Sequence, residues 1–424
     1  MNKIDVLLGL QWGDEGKGKV VDVLAPSYDI VARFQGGPNA GHTLVFDGKK
    51  HVLHCLPSGI FQSNTMNLIG NGMVLDPVVL QNELAEVISS APDVLDRLVV
   101  AEKTHLILPT HRLIDAAQEK QKGKQAIGST LRGIGPTYAD KVARQGLRVG
   151  DIHAADFRDK LDRALARHTQ ILQWLDYDAQ FDKELEDWLA AIEQMRAIEL
   201  VDDSYYIHEQ LNSGKKVLAE GAQGTLLDIS YGSYPYVTSS HTISGGVCTG
   251  LGVAPRDIGR VFGVFKAYCT RVGSGPFSTE LQDEVGKIIQ KNGNEFGATT
   301  GRERRCGWLD LVALGYACMV NGVDELFMMK GDVLSGLDQL LIATGYADAK
   351  GIATATVPFG TAAAINPVYA TQKAWHEDIS TVEAWHELPS SFHDYVAFIE
   401  EQLQLPVSIV SVGPDRNQTI IRKK

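Results

Sequence analysis

Cysteine is scarce and scattered in this sequence. The five, Cys55, Cys248, Cys269, Cys306 and Cys318, include no CxxC pair. An odd, dispersed set argues against a disulfide framework and for reduced thiols in the cytosol, so a cytoplasmic protein is expected. Long apolar runs are missing too, and nothing reaches membrane-spanning length. The first apolar segment runs straight into a glycine-rich loop and has no signal-peptide pattern. Basic charge is in deficit: 40 Lys and Arg against 52 Asp and Glu leave a formal charge of −12, which argues against general binding of nucleic acid or anionic membrane. At 424 residues and 44% hydrophobic content the chain can bury a large core.

What is present begins with Gly13-Asp14-Glu15-Gly16-Lys17-Gly18-Lys19. Residues 4–10 before it read as a short apolar strand, and 20–24 after it as the first turns of a helix. Strand, glycine-rich turn and helix together aim backbone N–H groups at an anion. The helix N-terminus adds about half a positive charge, and Lys17 or Lys19 can supply a full one. The spacing fits a Walker A loop up to its lysine, but Val20 stands where a Ser or Thr would hold Mg2+. Asp14 and Glu15 sit inside this loop, where bare negative charge would repel a triphosphate. A bridging Mg2+, or work as a general base, would offset that repulsion.

Further loops follow predicted strands. Residues 29–34 lead into Gln35 to Thr43, where His42 lies among small residues that leave its ring room to reach a ligand. Asp47-Gly48 signals a hairpin. Predicted strands at 66–70 and 97–101 flank a helix near Leu80 and Leu84, and this alternation favours a mainly parallel sheet. Ile127 to Pro136 is rich in glycine and hydroxyls and can hold a phosphate. From 156 to about 200 two apolar stripes predict a helical insertion that packs on the sheet. The repeated Ala-Trp-His-Glu at 374–377 and 384–387 reads as surface helix and loop. Strand 216–219 ends in Glu220 to Thr225, and in open α/β sheets such strand-end loops converge on one crevice, where Gln223 and Thr238 can hydrogen-bond a base or sugar.

Residues 298–305 are the densest cationic segment of an acidic chain, and arginine forks beside threonine hydroxyls suit a small dicarboxylate. Strand 325–329 precedes Lys330-Gly331-Asp332. An Asp at that place can accept both N1–H and the exocyclic N–H of guanine, which points to GTP. Residues 407–410 lead into a turn, Ser411 to Arg416, able to close over the base.

Together these segments resemble the adenylosuccinate synthetase family, GTP-dependent ligases that join IMP to aspartate. The resemblance covers nearly the whole chain, through Gln11 to Lys19, Asn39 to Thr43, Gly221 to Thr225, Ala298 to Arg302, Lys330 to Asp332 and Ser411 to Arg416. It implies one α/β domain over 1–424, a large mainly parallel sheet flanked by helices around a P-loop-like core. It also implies that Asp14 is the base that takes the N1 proton of IMP and a ligand, with the backbone of Gly41, of one Mg2+ per subunit. His42 assists phosphoryl transfer as an acid, and Lys17 stabilises charge. GTP is implied to contact Gly13, Asp14, Glu15, Gly16, Lys17, Gly18, Lys19, Gly41, His42, Thr43, Arg304, Lys330, Gly331, Asp332, Ser411, Val412 and Gly413. IMP is implied to contact Asp14, Lys17, Asn39, Ala40, Gly41, His42, Thr130, Gln223, Thr238 and Arg302, with Arg144 reaching in from the other subunit of a homodimer. Aspartate is implied to meet Ala298, Thr299, Thr300, Gly301, Arg302, Glu303 and Arg304. Leu131 stands where the family often has Gly or Lys, Glu303 fills a variable slot between arginines, and Met329 replaces a small polar residue.

Two other classes share parts of this pattern. A nucleotide-gated binding protein would keep the phosphate loop and Lys330 to Asp332, without needing both the cationic segment and a carboxylate beside the phosphates. A GTP-dependent kinase would need an acceptor hydroxyl.

Overall fold

The structure is a computed structural model that describes residues 2–297, 301–347, 353–357 and 365–422. Ten strands form its main sheet: β1 (Ile4–Gly9), β2 (Ile30–Arg33), β3 (Met66–Ile69), β4 (Leu98–Ala101), β5 (Glu199–Val201), β6 (Val217–Glu220), β7 (Ile258–Lys266), β8 (Glu325–Met329), β9 (Val407–Ser411) and β10 (Thr419–Ile421). Their order across the sheet is β10-β9-β8-β7-β1-β6-β2-β3-β4-β5. All neighbours are parallel except the edge pair of β9 and β10. The mainly parallel sheet expected from the strand and helix alternation is therefore present. The strands read from the sequence recur with their ends moved by a residue or so, and helix α1 (Lys17–Leu24) starts earlier than its apolar residues suggest, but β5, β7 and β10 were not anticipated.

Parallel strands are covered on both faces, so they read as continuous apolar runs. Leu7 of β1 shares one buried cluster with Val20 and Val21 of α1 and with Met329, while Val6 and Leu8 share another with Ile207 and Leu211. Met329, the unusual residue before Lys330, thus packs beneath the phosphate loop and lies 3.3 Å from where a side chain at Gly16 would begin. Helices α2 (Pro77–Val87), α3 (Pro109–Lys122), α4 (Ile134–Ala143), α5 (Phe157–Trp174) and α6 (Asp182–Met195) occur along the β3 to β5 half of the chain. Phe157, Leu161, Trp188, Ile192 and Met195 share a core with Leu98 and Val100 of β4, as the stripes predict. Leu172 instead packs with Ile114 and Ala117 of α3.

One expectation holds only in part. In the first Ala-Trp-His-Glu, His376 and Glu377 are exposed, but Trp375 is 1% exposed and packs edge-on against Phe392 and Tyr395. The helix Ser390–Leu403 supplies this aromatic pocket, and a four-residue string could not reveal it.

Candidate active site

Parallel strands place all their C-terminal ends on one edge of a sheet. The loops after β1, β2, β6, β8 and β9 meet there, and they are the segments singled out in the sequence. The first is a tight turn in which Gly13, Asp14 and Gly16 all have left-handed backbones, with φ of 84°, 60° and 91°. That path separates the two carboxylates. Glu15 swings inward, fully buried, and accepts from the N–H groups of Gln11 at 3.1 Å and Gly13 at 2.9 Å. It fits only because Gly9 has no side chain: a Cβ there would lie 2.3 Å from the carboxylate. Lys17 donates to Glu15 at 2.7 Å and also to the Gln223 carbonyl.

The expected repulsion from two like charges therefore reduces to one, that of Asp14. Its side chain is 31% exposed, and its Oδ2 accepts from Arg304 Nε at 2.8 Å. Lys19, the lysine at the Walker A position, points elsewhere. It donates to Ser411 Oγ at 2.7 Å and to the carbonyls of Gly413 at 2.7 Å and Gln418 at 2.9 Å. Burial among these neutral acceptors lowers its pKa to about 8. Lys19 therefore ties α1 to the loop after β9.

His42 starts the hairpin His42–Phe46 and Lys49–Leu53, which turns at Asp47 and Gly48 as predicted. Its ring is not loosely held. Nδ1 lies 2.6 Å from Glu220 Oε1, at the end of β6, and 3.3 Å from Ser58 Oγ. Ser58 also donates its backbone N–H to the other oxygen of Glu220 at 2.8 Å. Nε2 is buried without a hydrogen-bond partner. Burial lowers the pKa of His42, and Glu220 opposes that shift. Gly18 permits this approach of hairpin to helix, since a Cβ there would sit 2.8 Å from that of His42.

Across the crevice, Gln223 has a left-handed backbone with φ of 56°, and both polar atoms of its amide are buried without partners. A buried amide with nothing to bond is costly unless a ligand supplies the partner. Asn39 lies 3.5 Å from Thr238 Oγ1, and the Ala40 carbonyl accepts from His54. The loop at 128–133 is less free than its composition suggests. Glu119 of α3 takes the N–H groups of Gly128 and Ser129, and Asp115 takes that of Gly133. Those amides are committed and are not open to an anion. Leu131 has φ of 56° and is 47% exposed, a left-handed place that Gly would fill without strain. Arg302 donates to the Gly128 carbonyl at 3.1 and 3.2 Å, joining the cationic segment to this loop. Arg144 caps α4, exposed, with φ of 62°.

The Lys330-Gly331-Asp332 loop lies after β8. Asp332 Oδ1 is buried without a partner, and burial raises the pKa of this carboxyl. Lys330 donates to the Gly293 carbonyl at 2.8 Å and to Glu295 Oε1 at 2.7 Å. Of the cationic segment, Ala298, Thr299 and Thr300 lie outside the described residues. Arg304 grips Asp14 and Glu295, whereas Arg305 holds Glu280 and the carbonyls of Gly273 and Gly275, a structural duty. Glu303 is exposed.

Asp14 uses Oδ2 for Arg304, which leaves Oδ1, a hard oxygen donor of the kind Mg2+ takes, without that partner. A second cluster, His111, Asp140 and His168, has ligand atoms within 4.8 Å of one another. It does not suit a metal. His111 Nδ1 accepts from the Leu108 N–H and His168 Nδ1 faces Thr110 Oγ1, so each Nε2–H points at Asp140 Oδ2, where Arg167 also donates. No nitrogen lone pair is left over.

Glu220, Glu295 and Lys266 were not assigned from sequence. Glu220 had a faint signal, a carboxylate ending an apolar strand. Glu295 and Lys266 had none.

A family model for adenylosuccinate synthetase matches residues 6–420. The adenylosuccinate synthetase of Christiangramia forsetii is 58% identical over 423 residues, 99% of this chain and 100% of that one. That of Cytophaga hutchinsonii is 57% identical over 422 residues, 99% of this chain and 98% of its own. The structure of a fully ligated adenylosuccinate synthetase from Plasmodium falciparum matches with a TM-score of 0.94 at 39% identity, covering 100% of both chains. A cyanophage S-2L succinoaminodeoxyadenylate synthetase, 21% identical with a TM-score of 0.66 over 100% of this chain and 96% of its own, shares the fold.

Proposed function

Because the chain belongs to the adenylosuccinate synthetase family and joins IMP to L-aspartate at the expense of GTP, we propose that Asp14, Lys17 and His42 carry this chemistry. Oxygen O6 of IMP is a poor leaving group. Asp14 takes the N1 proton, O6 attacks the γ-phosphorus of GTP, and 6-phosphoryl-IMP forms as GDP leaves. The amine of aspartate then displaces phosphate from C6 and gives adenylosuccinate.

The observation that carries this reading is the sorting of the two loop carboxylates. Glu15 is turned inward to fix the loop, while Asp14 alone faces the crevice with Arg304 orienting it. His42 complements it. Its Nδ1 donates to Glu220, so Nε2 takes a proton from solvent as the anionic phosphates approach and donates it in a hydrogen bond to the transferring group. Lys17, fixed by Glu15, adds positive charge on the same side. Mg2+, which the family uses with GTP, would be held by Asp14 and the Gly41 carbonyl and would neutralise charge on the phosphates.

Gln223, Thr238, Asn39, Thr130 and Arg302 bind IMP in this reading, and the unpartnered amide of Gln223 supports it. Asp332 reads guanine, and the loop from Ser411 to Gly413, held by Lys19, closes over the base. Residues 298–304 take aspartate. The protein works as a homodimer in the cytoplasm, with Arg144 serving the partner's IMP site. All five cysteines are free, in keeping with that compartment. Release of phosphate from GTP, measured with each substrate omitted in turn, tests the reading. Release must require both IMP and aspartate, and release with either one absent overturns it.

A further inference from the structure

Glu295 is fully buried, and its two oxygens serve different parts of the site. Oε1 accepts from Lys330 at 2.7 Å, from Lys266 at 3.0 Å and from the Tyr268 hydroxyl. Oε2 accepts from Arg304 at 2.6 Å. Arg304 in turn reaches Asp14 through Nε at 2.8 Å. One carboxylate therefore joins Lys330, beside the base-reading Asp332, to the arginine that orients Asp14. Lys330 has a left-handed backbone with φ of 61°, which fixes where its stem leaves the loop.

Lys266 is fully buried and would be satisfied by one carboxylate oxygen together with Thr270, which it also meets. Two more cations, Lys330 and Arg304, meet the same glutamate. Both ends of the site therefore hold to one planar group, and the position of the Lys330 ammonium limits where that carboxylate, and with it Arg304, can sit.

We propose that Glu295 is a positioning residue that transmits the placing of the guanine end, through Lys330 and Arg304, to the carboxylate of Asp14. The proposal rests on the reading of Asp14 as base and Lys330 with Asp332 as guanine contacts. Misplacement of a reacting group by about one ångström costs turnover by as much as ~10²-fold, so the link acts on kcat.

Glu295→Asp keeps the charge and shortens the reach, so Lys330 and Arg304 can no longer both be held. The expected result is a kcat lower by about tenfold or more, with the KM for IMP within about threefold of wild type. Lys330→Met breaks the link at its other end, so its kcat loss should nearly vanish in the Glu295→Asp background. Full retention of kcat in Glu295→Asp, or losses that multiply in the double variant, overturns the proposal. Glu295→Gln with Lys266→Met covers the case in which the shortened residue fails to fold. That double variant removes the charge of Glu295 together with its fully buried partner and leaves Lys330 and Arg304 unlinked, so kcat should stay low in the folded protein, and recovery of kcat to the wild-type value overturns the proposal. Failure of the underlying reading is seen separately, as unchanged turnover in Asp14→Asn and unchanged nucleotide preference in Asp332→Asn.

Discussion

Asp14 and Glu15 are neighbours of the same chemistry, and one backbone angle gives them different work. At φ of 60°, Asp14 faces the crevice, while the gap above Gly9 receives Glu15. Asp14→Asn keeps the shape and loses the base, so it should fold with an unchanged Tm and lose about 10²- to 10⁴-fold in kcat. Near-normal turnover would contradict the assignment. Asp332 offers a second test. Its buried, unpartnered oxygen suits the paired N–H donors of guanine and repels the C2 oxygen of xanthine. Asp332→Asn should therefore lower kcat/KM for GTP and raise it for xanthosine triphosphate. An unaltered ratio of the two efficiencies would show that Asp332 does not read the base.

Elements are held in place by charges that pair between helices. Helix α4 carries Asp140, which is clamped to α3 by His111 and to α5 by His168 and Arg167. Burial lowers the pKa of His111 to about 4, below its ordinary 6.5. The folded chain keeps this ring neutral while the unfolded chain protonates it. Stability from His111 is thus fully present above pH 6.5 and is lost as pH falls toward 4, with a slope of up to about 1.4 kcal/mol per pH unit. His105, also lowered to about 4 by burial, acts in the same direction, so the test is a difference. In Tm measured from pH 7 to 4, His111→Gln should fall less steeply than wild type. Equal slopes would mean that His111 does not titrate on unfolding.

At the scale of the whole molecule, the parallel sheet gathers distant segments on one edge, and Arg144 stands outside that gathering. It caps α4 in a left-handed turn and faces solvent. A partner subunit's IMP phosphate is the anion proposed for it. A charge-assisted contact is worth about 1.5–3 kcal/mol, so Arg144→Leu should raise the KM for IMP about tenfold or more and affect GTP less. Mixing Asp14→Asn with Arg144→Leu places both lesions in one site of each mixed dimer and leaves the other site intact. Random exchange should then restore activity to about one quarter of wild type. Confirmed exchange without any return of activity would place Arg144 in its own subunit's site.

The sequence alone determined seven of the ten sheet strands, the loops that follow them and the chemistry those loops suit, because each is a local pattern, whereas β5, β7 and β10 went unread. Apolar runs mark strands buried on both faces, and glycines mark where the backbone must turn sharply. The hairpin at Asp47 and Gly48 and the helices at Phe157–Trp174 and Asp182–Met195 were legible for the same reason. Direction and pairing of side chains were not. Nothing local told that Lys19 would turn to Ser411, that Glu119 would occupy the amides of Gly128 and Ser129, or that Trp375 would be core. Glu220 under His42 and Glu295 among three cations join residues far apart in the chain. A buried charge needs a partner wherever the fold brings one near, and only the tertiary structure decided which partner that is.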